Sequence, residues 1–448
     1  MTSDNRKRAL RHMPHTAIFG ALVATFPAVS SAARLDYELS MRYMHSDNIA
    51  LVQDNVSENI LSPQVRFRFT EESSAVTADF SGAVQYLDYL DDTFDDDARG
   101  EFSGDLEWKI VPERITLYAR DTLSEQSVDS LAAFTPGNQQ QINVFEGGPT
   151  FLARFNETTQ GQLDLRYINS WAEETESLNS DRYNIAARMT HLLSETSSLA
   201  LNAEAGNTEY DNISELYNYK RYDLYATYQS ELAKLELSVD AGYSRLEPED
   251  SESFSSALFR GYLRWKATAR SSLGGNFDYQ FGDSSQDLIR RVGAPGTLPG
   301  PVDPNSPIIG EPDNPNLQII PDTFRQERVS LTYEYTGERL RLLAEPYYEQ
   351  LRYLRDDTFD VDSQGFGISG LYNLRPRLDL TFVAQHNDRE FVTSDRSDSD
   401  LITGAGLAYR FTRHWGAQFD YRYRKRNSSV GGQDYVENLV VLSISYFR

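Results

Sequence analysis

Apolar and polar residues change places one for one along KLELSVDAGYSR, Lys234 to Arg245. Leu235, Leu237, Val239, Ala241 and Tyr243 alternate with Glu236, Ser238 and Asp240. A period of two is that of a β-strand whose two faces meet different surroundings. The same alternation recurs from Arg34 onward in about twenty segments, beginning with 35–45, 64–70 and 76–88 and ending with 399–411, 415–425 and 436–447. Most run for about ten residues, the length of a tilted strand that crosses a bilayer. Two segments fit poorly: EGGP interrupts 143–155, and Tyr118 falls among the polar positions of 114–122.

The connections sharpen this reading. Tight ones, such as TEESS (70–74), VPE (111–113), SEL (230–232), TGE (336–338) and TRH (412–414), take turns with longer polar ones such as 46–63, 89–99, 245–255 and 351–363. A soluble sandwich has no reason to keep short and long in strict turn, whereas an outer-membrane barrel does. The expected fold is all-β: a transmembrane antiparallel up-and-down β-barrel of about 20 strands, 18–20 being compatible with the pattern. Both ends of the barrel then lie on the tight-turn side, and no helix is expected in the exported chain. Residues 34–448 form this one domain, with long acidic extracellular loops, short periplasmic turns and no plug domain.

Aromatic residues on the apolar parity collect at both strand ends. Phe67, Phe69, Trp108, Trp265 and Trp415 stand beside tight turns, and Tyr43, Tyr86, Tyr243, Phe259, Phe281 and Tyr423 near long loops. These are the two girdles expected where an apolar wall meets lipid headgroups. The opposite parity is charged. Its pore-lining candidates are Arg66, Arg68, Glu107, Lys109, Arg166, Arg188, Glu236, Asp240, Arg260, Arg264, Arg341, Glu345, Arg422 and Arg424. A basic side chain at mid-bilayer costs about 2 to 4 kcal/mol on a lipid-facing wall, so this face belongs inside. Some twenty strands enclose a wide lumen, and 282–324, with its prolines and central apolar patch, is the loop that could narrow it. Inward folding and a purely extracellular course are both open for that loop.

Composition removes other classes. Mean hydropathy is −0.54 and no internal run approaches a membrane helix. Cysteine is absent, so there are no disulfides or thiolate metal sites, and a net charge of −24 argues against nucleic acid. Residues 1–33 carry Arg6, Lys7, Arg8 and Arg11, a short apolar core and SSAA, the parts of a cleaved signal peptide. No catalytic constellation, cofactor site or metal site stands out. His386, read as lumen-facing near an outer strand end with Asp388 close by, is the candidate for a surface hydrolase. A solvated strand-end histidine is the simpler account. DDTFDDD (91–97), EPEDSES (247–253) and SDRSDSD (394–400) read as solvated acidic tips or loose cation bridges to lipopolysaccharide, because none has calcium-loop spacing.

LDYELSMRYMHSDNIAL, NVFEGGPTFLARF, the strand-by-strand alternation of Tyr and Arg, and the closing VVLSISYFR resemble the outer-membrane β-barrel porins found with exopolysaccharide and exosortase (PEP-CTERM) systems of Gram-negative bacteria. The resemblance implies an outer-membrane location and a part in polysaccharide or protein export, and it transfers no site residues. The closing alternation Val440, Leu442, Ile444, Tyr446 also resembles a barrel-assembly signal, with Arg448 added after Phe447. Expected partners are outer-membrane lipid and lipopolysaccharide, the barrel assembly machinery and polysaccharide-export components. The expected function is a channel and not an enzyme. The alternatives are a structural or interaction barrel with its lumen closed by paired charges and, behind it, an outer-membrane hydrolase.

Overall fold

The computed structural model describes residues 33–211, 217–249, 251–284 and 316–448. All but the last residue of the expected signal peptide therefore lies outside the described residues. The strands of the first half are β1 (Arg34–Ser46), β2 (Glu58–Glu72), β3 (Val76–Tyr89), β4 (Asp97–Val111), β5 (Ile115–Ser127), β6 (Gln139–Arg154), β7 (Thr159–Ala172), β8 (Ser180–Ser194), β9 (Ser197–Tyr210) and β10 (Tyr219–Glu231). Those of the second half are β11 (Leu235–Pro248), β12 (Phe254–Trp265), β13 (Ser271–Asp283), β14 (Thr323–Thr336), β15 (Leu340–Tyr353), β16 (Val361–Arg375), β17 (Leu378–Phe391), β18 (Ser397–Arg410), β19 (Trp415–Ser428) and β20 (Tyr435–Phe447). Three-residue 3₁₀ turns sit in long connections at Pro136–Asn138, Glu176–Leu178 and Asp357–Phe359.

Each strand pairs antiparallel with the next, and β1 pairs with β20 from Glu38↔Phe447 to Ser46↔Leu439, so the 20-stranded sheet closes on itself. At the seam, Tyr37 and Arg448 exchange both backbone hydrogen bonds at 2.9 Å. Closure leaves no unpaired edge, which a spanning sheet requires because hydrocarbon offers backbone groups no partner.

Most strands are longer than the alternation alone suggests, from 12 residues in β12 to 16 in β6. The added length lies mainly at the long-loop end: β2 starts at Glu58 instead of 64, and the alternating segment 377–386 becomes a β17 that runs on to Phe391. Toward the long loops the strand ends carry polar residues on both faces, so the two-residue period of the sequence fades although pairing continues. Tyr118 and the EGGP segment, the two poor fits, prove to be one feature. Tyr118 and Gly148 are register partners, and two guanidinium groups, of Arg120 and Arg166, lie 5.6 and 5.2 Å from the Tyr118 ring centre on the inner face. Gly148 has φ +155, and a Cβ there would stand 1.9 Å from the Leu165 carbonyl oxygen, so only glycine fits.

Outward positions are apolar and exposed, as with Leu35, Leu201, Leu224, Leu331 and Ile444. The expected girdle residues share that face with one exception. Phe281 is buried, in a cluster with the inward-facing Tyr210, Tyr219 and Leu246. Pairing of β12 with β13 stops at Phe259↔Tyr279, while β13 stays paired with β14 through Asp283↔Thr323, so the end of β13 is free of β12 where Phe281 is buried.

Candidate functional site in the lumen

The register fixes which face each side chain occupies, because directly opposed residues share a face. Starting from the buried Arg42 and following the pairs around the closed sheet, all fourteen pore-lining candidates fall on the inner face. Many meet an opposite charge on the same face. Arg68 bonds Asp79 at 2.7 Å, Arg166 bonds Asp164 at 2.8 Å, Asp240 meets Arg260 at 3.0 Å, Arg264 bonds Glu334 at 2.6 Å, and Glu236 meets Lys266 at 2.5 Å. Glu107 lies 3.9 Å from Lys109, Glu345 3.8 Å from Arg328, and Arg424 3.5 Å from Glu437. Arg188 bonds the Asn202 amide oxygen at 2.7 Å. Arg66 faces Glu38 in the register, Arg422 is buried, and Arg341 is exposed. The inner wall is thus a mosaic of both signs.

Its two halves differ in access. Toward the tight turns the charged side chains stay wet: Lys266 is 48% and Glu107 47% exposed. Toward the long loops they are enclosed: Arg389 is 2% and Asp398 0% exposed. The enclosure comes from long connections that fold inward. Both described flanks of 282–324 take the inward course. Asp283 accepts from Arg182 (2.9 Å) and from the Tyr219 hydroxyl (2.7 Å), all three buried. On the returning flank Leu317, Ile319 and Phe324 enter an apolar cluster with Ile142, Val144, Leu351 and Val361, which are inward-facing residues of β6, β15 and β16. The middle of the loop, 285–315, lies outside the described residues.

The β5–β6 connection meets that flank inside the barrel. The Gln318 carbonyl of the side chain accepts from the Ser130 backbone N–H (2.9 Å) and hydroxyl (2.6 Å), and the Ser284 hydroxyl donates to the Gln318 backbone oxygen (3.0 Å). Two arginines of the opposite wall hold the same connection: Arg389 donates to the Ser130 backbone oxygen (3.2 Å) and Arg396 to that of Leu131. Arg389 and Arg396 are in turn fixed by Asp398 and Asp400, with Arg426 bonding Asp400 at 2.7 Å. A third connection closes the remaining side. Ile49 of the β1–β2 loop packs with Met44, Ile60, Leu87 and Leu439. Just before β14, Asp322 accepts from the backbone N–H groups of Thr323 and, in the connection after β15, of Arg355 and Asp356, yet burial still pushes its carboxyl above the ordinary aspartate range.

Two expectations change here. His386 continues the parity of Leu380, Phe382 and Ala384 and pairs with the exposed Phe366, so it sits on the outer face, its Nε2 3.1 Å from Asp388. It does not line the lumen. SDRSDSD is also no solvated tip, because Ser397–Asp400 open β18 and both Asp398 and Asp400 face inward onto arginines. Among the described residues no group of three or more His, Asp or Glu side chains is disposed to hold a metal ion.

The five strands β16 to β20, residues 361–447, match the model of the family described as Putative beta-barrel porin 2. The match covers those five strands and supports a porin-like outer-membrane β-barrel. In outline the chain is similar to a mutant ferric enterobactin receptor from Pseudomonas aeruginosa in complex with enterobactin (9% identity, 94% of this chain and 82% of that one, TM-score 0.47). It is similar likewise to OccK2 of Pseudomonas aeruginosa (12%, 94% and 99%, 0.40) and to the FrpB iron transporter of Neisseria meningitidis (8%, 92% and 82%, 0.44). No curated protein matches the chain. The chain is a porin-like outer-membrane barrel whose tight-turn half is open and whose long-loop half is filled by inward connections.

Proposed function

We propose that this porin is a diffusion channel for hydrated solutes, or for a secreted glycan, whose outer mouth is held shut by the inward loops until they move. The observation that carries the reading is the contrast along the lumen. A mixed-charge wall open to water is interrupted by loop contacts made of side-chain and carbonyl hydrogen bonds, which exchange with water at modest net cost, about 0.5–1.5 kcal/mol each. Arginine donors beside carboxylate acceptors suit hydroxyl-rich cargo. Export by a signal peptide cleaved near Ala32 or Ala33, insertion by the barrel assembly machinery, contacts with lipopolysaccharide and a place beside polysaccharide-export components belong to the same proposal. So does the absence of catalysis.

Planar-bilayer recording tests it. Wild-type protein is expected to give rare or small openings, and removal of residues 316–320 should raise open probability at least tenfold. A folded barrel that stays silent in both forms would sink the channel reading. It would favour a closed structural barrel, the reading to which the buried ion pairs of the outer half point.

A further inference from the structure

We infer that a chamber beneath the inward loops is a binding site for a small neutral carbohydrate of mono- to disaccharide size. The inference rests on the channel reading and adds the class of solute. The chamber has a volume of about 380 Å³, within the roughly 300–1,000 Å³ of small-molecule sites. Its roof is Leu51 and Phe134 from two inward loops, with Asn316 from the third. The wall below is hollowed by small residues: a Cβ on Gly367 would meet nothing within 4 Å, and Ser369, two positions on, is exposed.

The lining selects against net charge. Every arginine bordering the chamber already has an acid: Arg328 has Glu345 (3.8 Å) and Glu349 (3.4 Å), Arg424 has Glu437 (3.5 Å), and Arg426 and Arg389 share Asp400 (2.7 and 2.9 Å). An ion entering would shed water and find these arginines already compensated, and Lys425, the other cation bordering the chamber, lies on the outer parity opposite Leu401 and Val436. Hydrogen-bonding capacity is nevertheless left over: the exposed Gln385 amide, which carries both a donor and an acceptor, borders the same space. Donor and acceptor positions side by side match hydroxyl groups, which need both. The Phe134 ring borders the space as an apolar surface for the C–H side of a pyranose, whereas Tyr347 is engaged by the Arg328 guanidinium, 4.7 Å from its ring centre, and by Asn387 at 2.7 Å.

Calorimetric titration of the purified full-length protein in detergent, with maltose, glucuronate and glucosamine as separate probes, tests the assignment. Expected is saturable maltose binding with a Kd of about 1 mM or tighter, changing less than about twofold between low and high salt. Gly367→Trp, which fills the hollow, and Gln385→Leu, which removes an amide, should each weaken maltose binding at least about tenfold while the protein keeps its heat-modifiable gel mobility. Preference for glucuronate or glucosamine with strong salt dependence overturns the inference. So does a folded protein that binds no probe, or Gly367→Trp protein that binds maltose normally. Bilayer recordings on the same samples separate the two readings. Conductance without binding removes the site and leaves the channel; binding without conductance removes the channel and leaves the site.

Discussion

Val239 and Asp240 are neighbours in β11, yet they answer to different solvents. Val239 faces outward and Asp240 meets Arg260 across the inner wall. Val239→Arg should therefore block membrane assembly, since it adds about 2 to 4 kcal/mol at the lipid face. Asp240→Leu should assemble normally, because the partner it leaves can turn to water in the lumen. Outer-membrane fractionation with heat-modifiability on gels reads both, and the reverse result would mean that the faces are exchanged. Arg182 differs because its ion pair with Asp283 is almost fully enclosed. Arg182→Met leaves a buried carboxylate with the Tyr219 hydroxyl, a loss of about 3 to 5 kcal/mol in loop anchoring. Arg182→Met with Asp283→Leu should recover much of that loss. Protease sensitivity of the connection after β13 ranks the two.

At the scale of elements, the strands were legible and the loops were not. A two-residue period reports a face between unlike solvents, so Leu235 to Tyr243 and the fourteen charged positions could be placed before any coordinate. That signal is silent where both sides of a segment are protein. Leu317, Ile319 and Phe324 read as an apolar patch in a proline-rich loop, but nothing in a period says which cavity receives it. Arg389, Asp398 and Asp400 were hidden for the related reason that β17 and β18 continue above the bilayer, where SDRSDSD looks like a tip. His386 was misplaced by one position, and one position exchanges faces. The loop contacts carry their own prediction. Arg389→Gln with Arg396→Gln removes the donors to the Ser130 and Leu131 carbonyls, and single-channel open probability should rise several-fold with little change in conductance per opening. A change in unitary conductance alone would place the constriction elsewhere.

For the molecule as a whole, closure depends on β1 meeting β20, elements from opposite ends of the folded chain. Contacts of such long sequence separation form late, and partial sheets expose two edges. Substituting prolines for Leu442 and Ile444 removes two ladder donors at that seam. It should leave protein that never becomes heat-resistant on gels, whereas the same change on the β1–β2 loop at Val52 and Val56 should not. The family match over the last five strands covers this closing portion.

The difference between the two halves of the lumen also bears on the cell that carries the protein. On the proposed channel reading, with the tight turns on the periplasmic side, the barrel with its loops in place is a cup open toward the periplasm. Additional copies enlarge the compartment that solutes can sample from within, but do not add to the leak. On that reading, expression level and permeability are uncoupled: added copies present the same loop-covered face to detergents and antibiotics, and passage depends on the fraction of time the loops spend displaced.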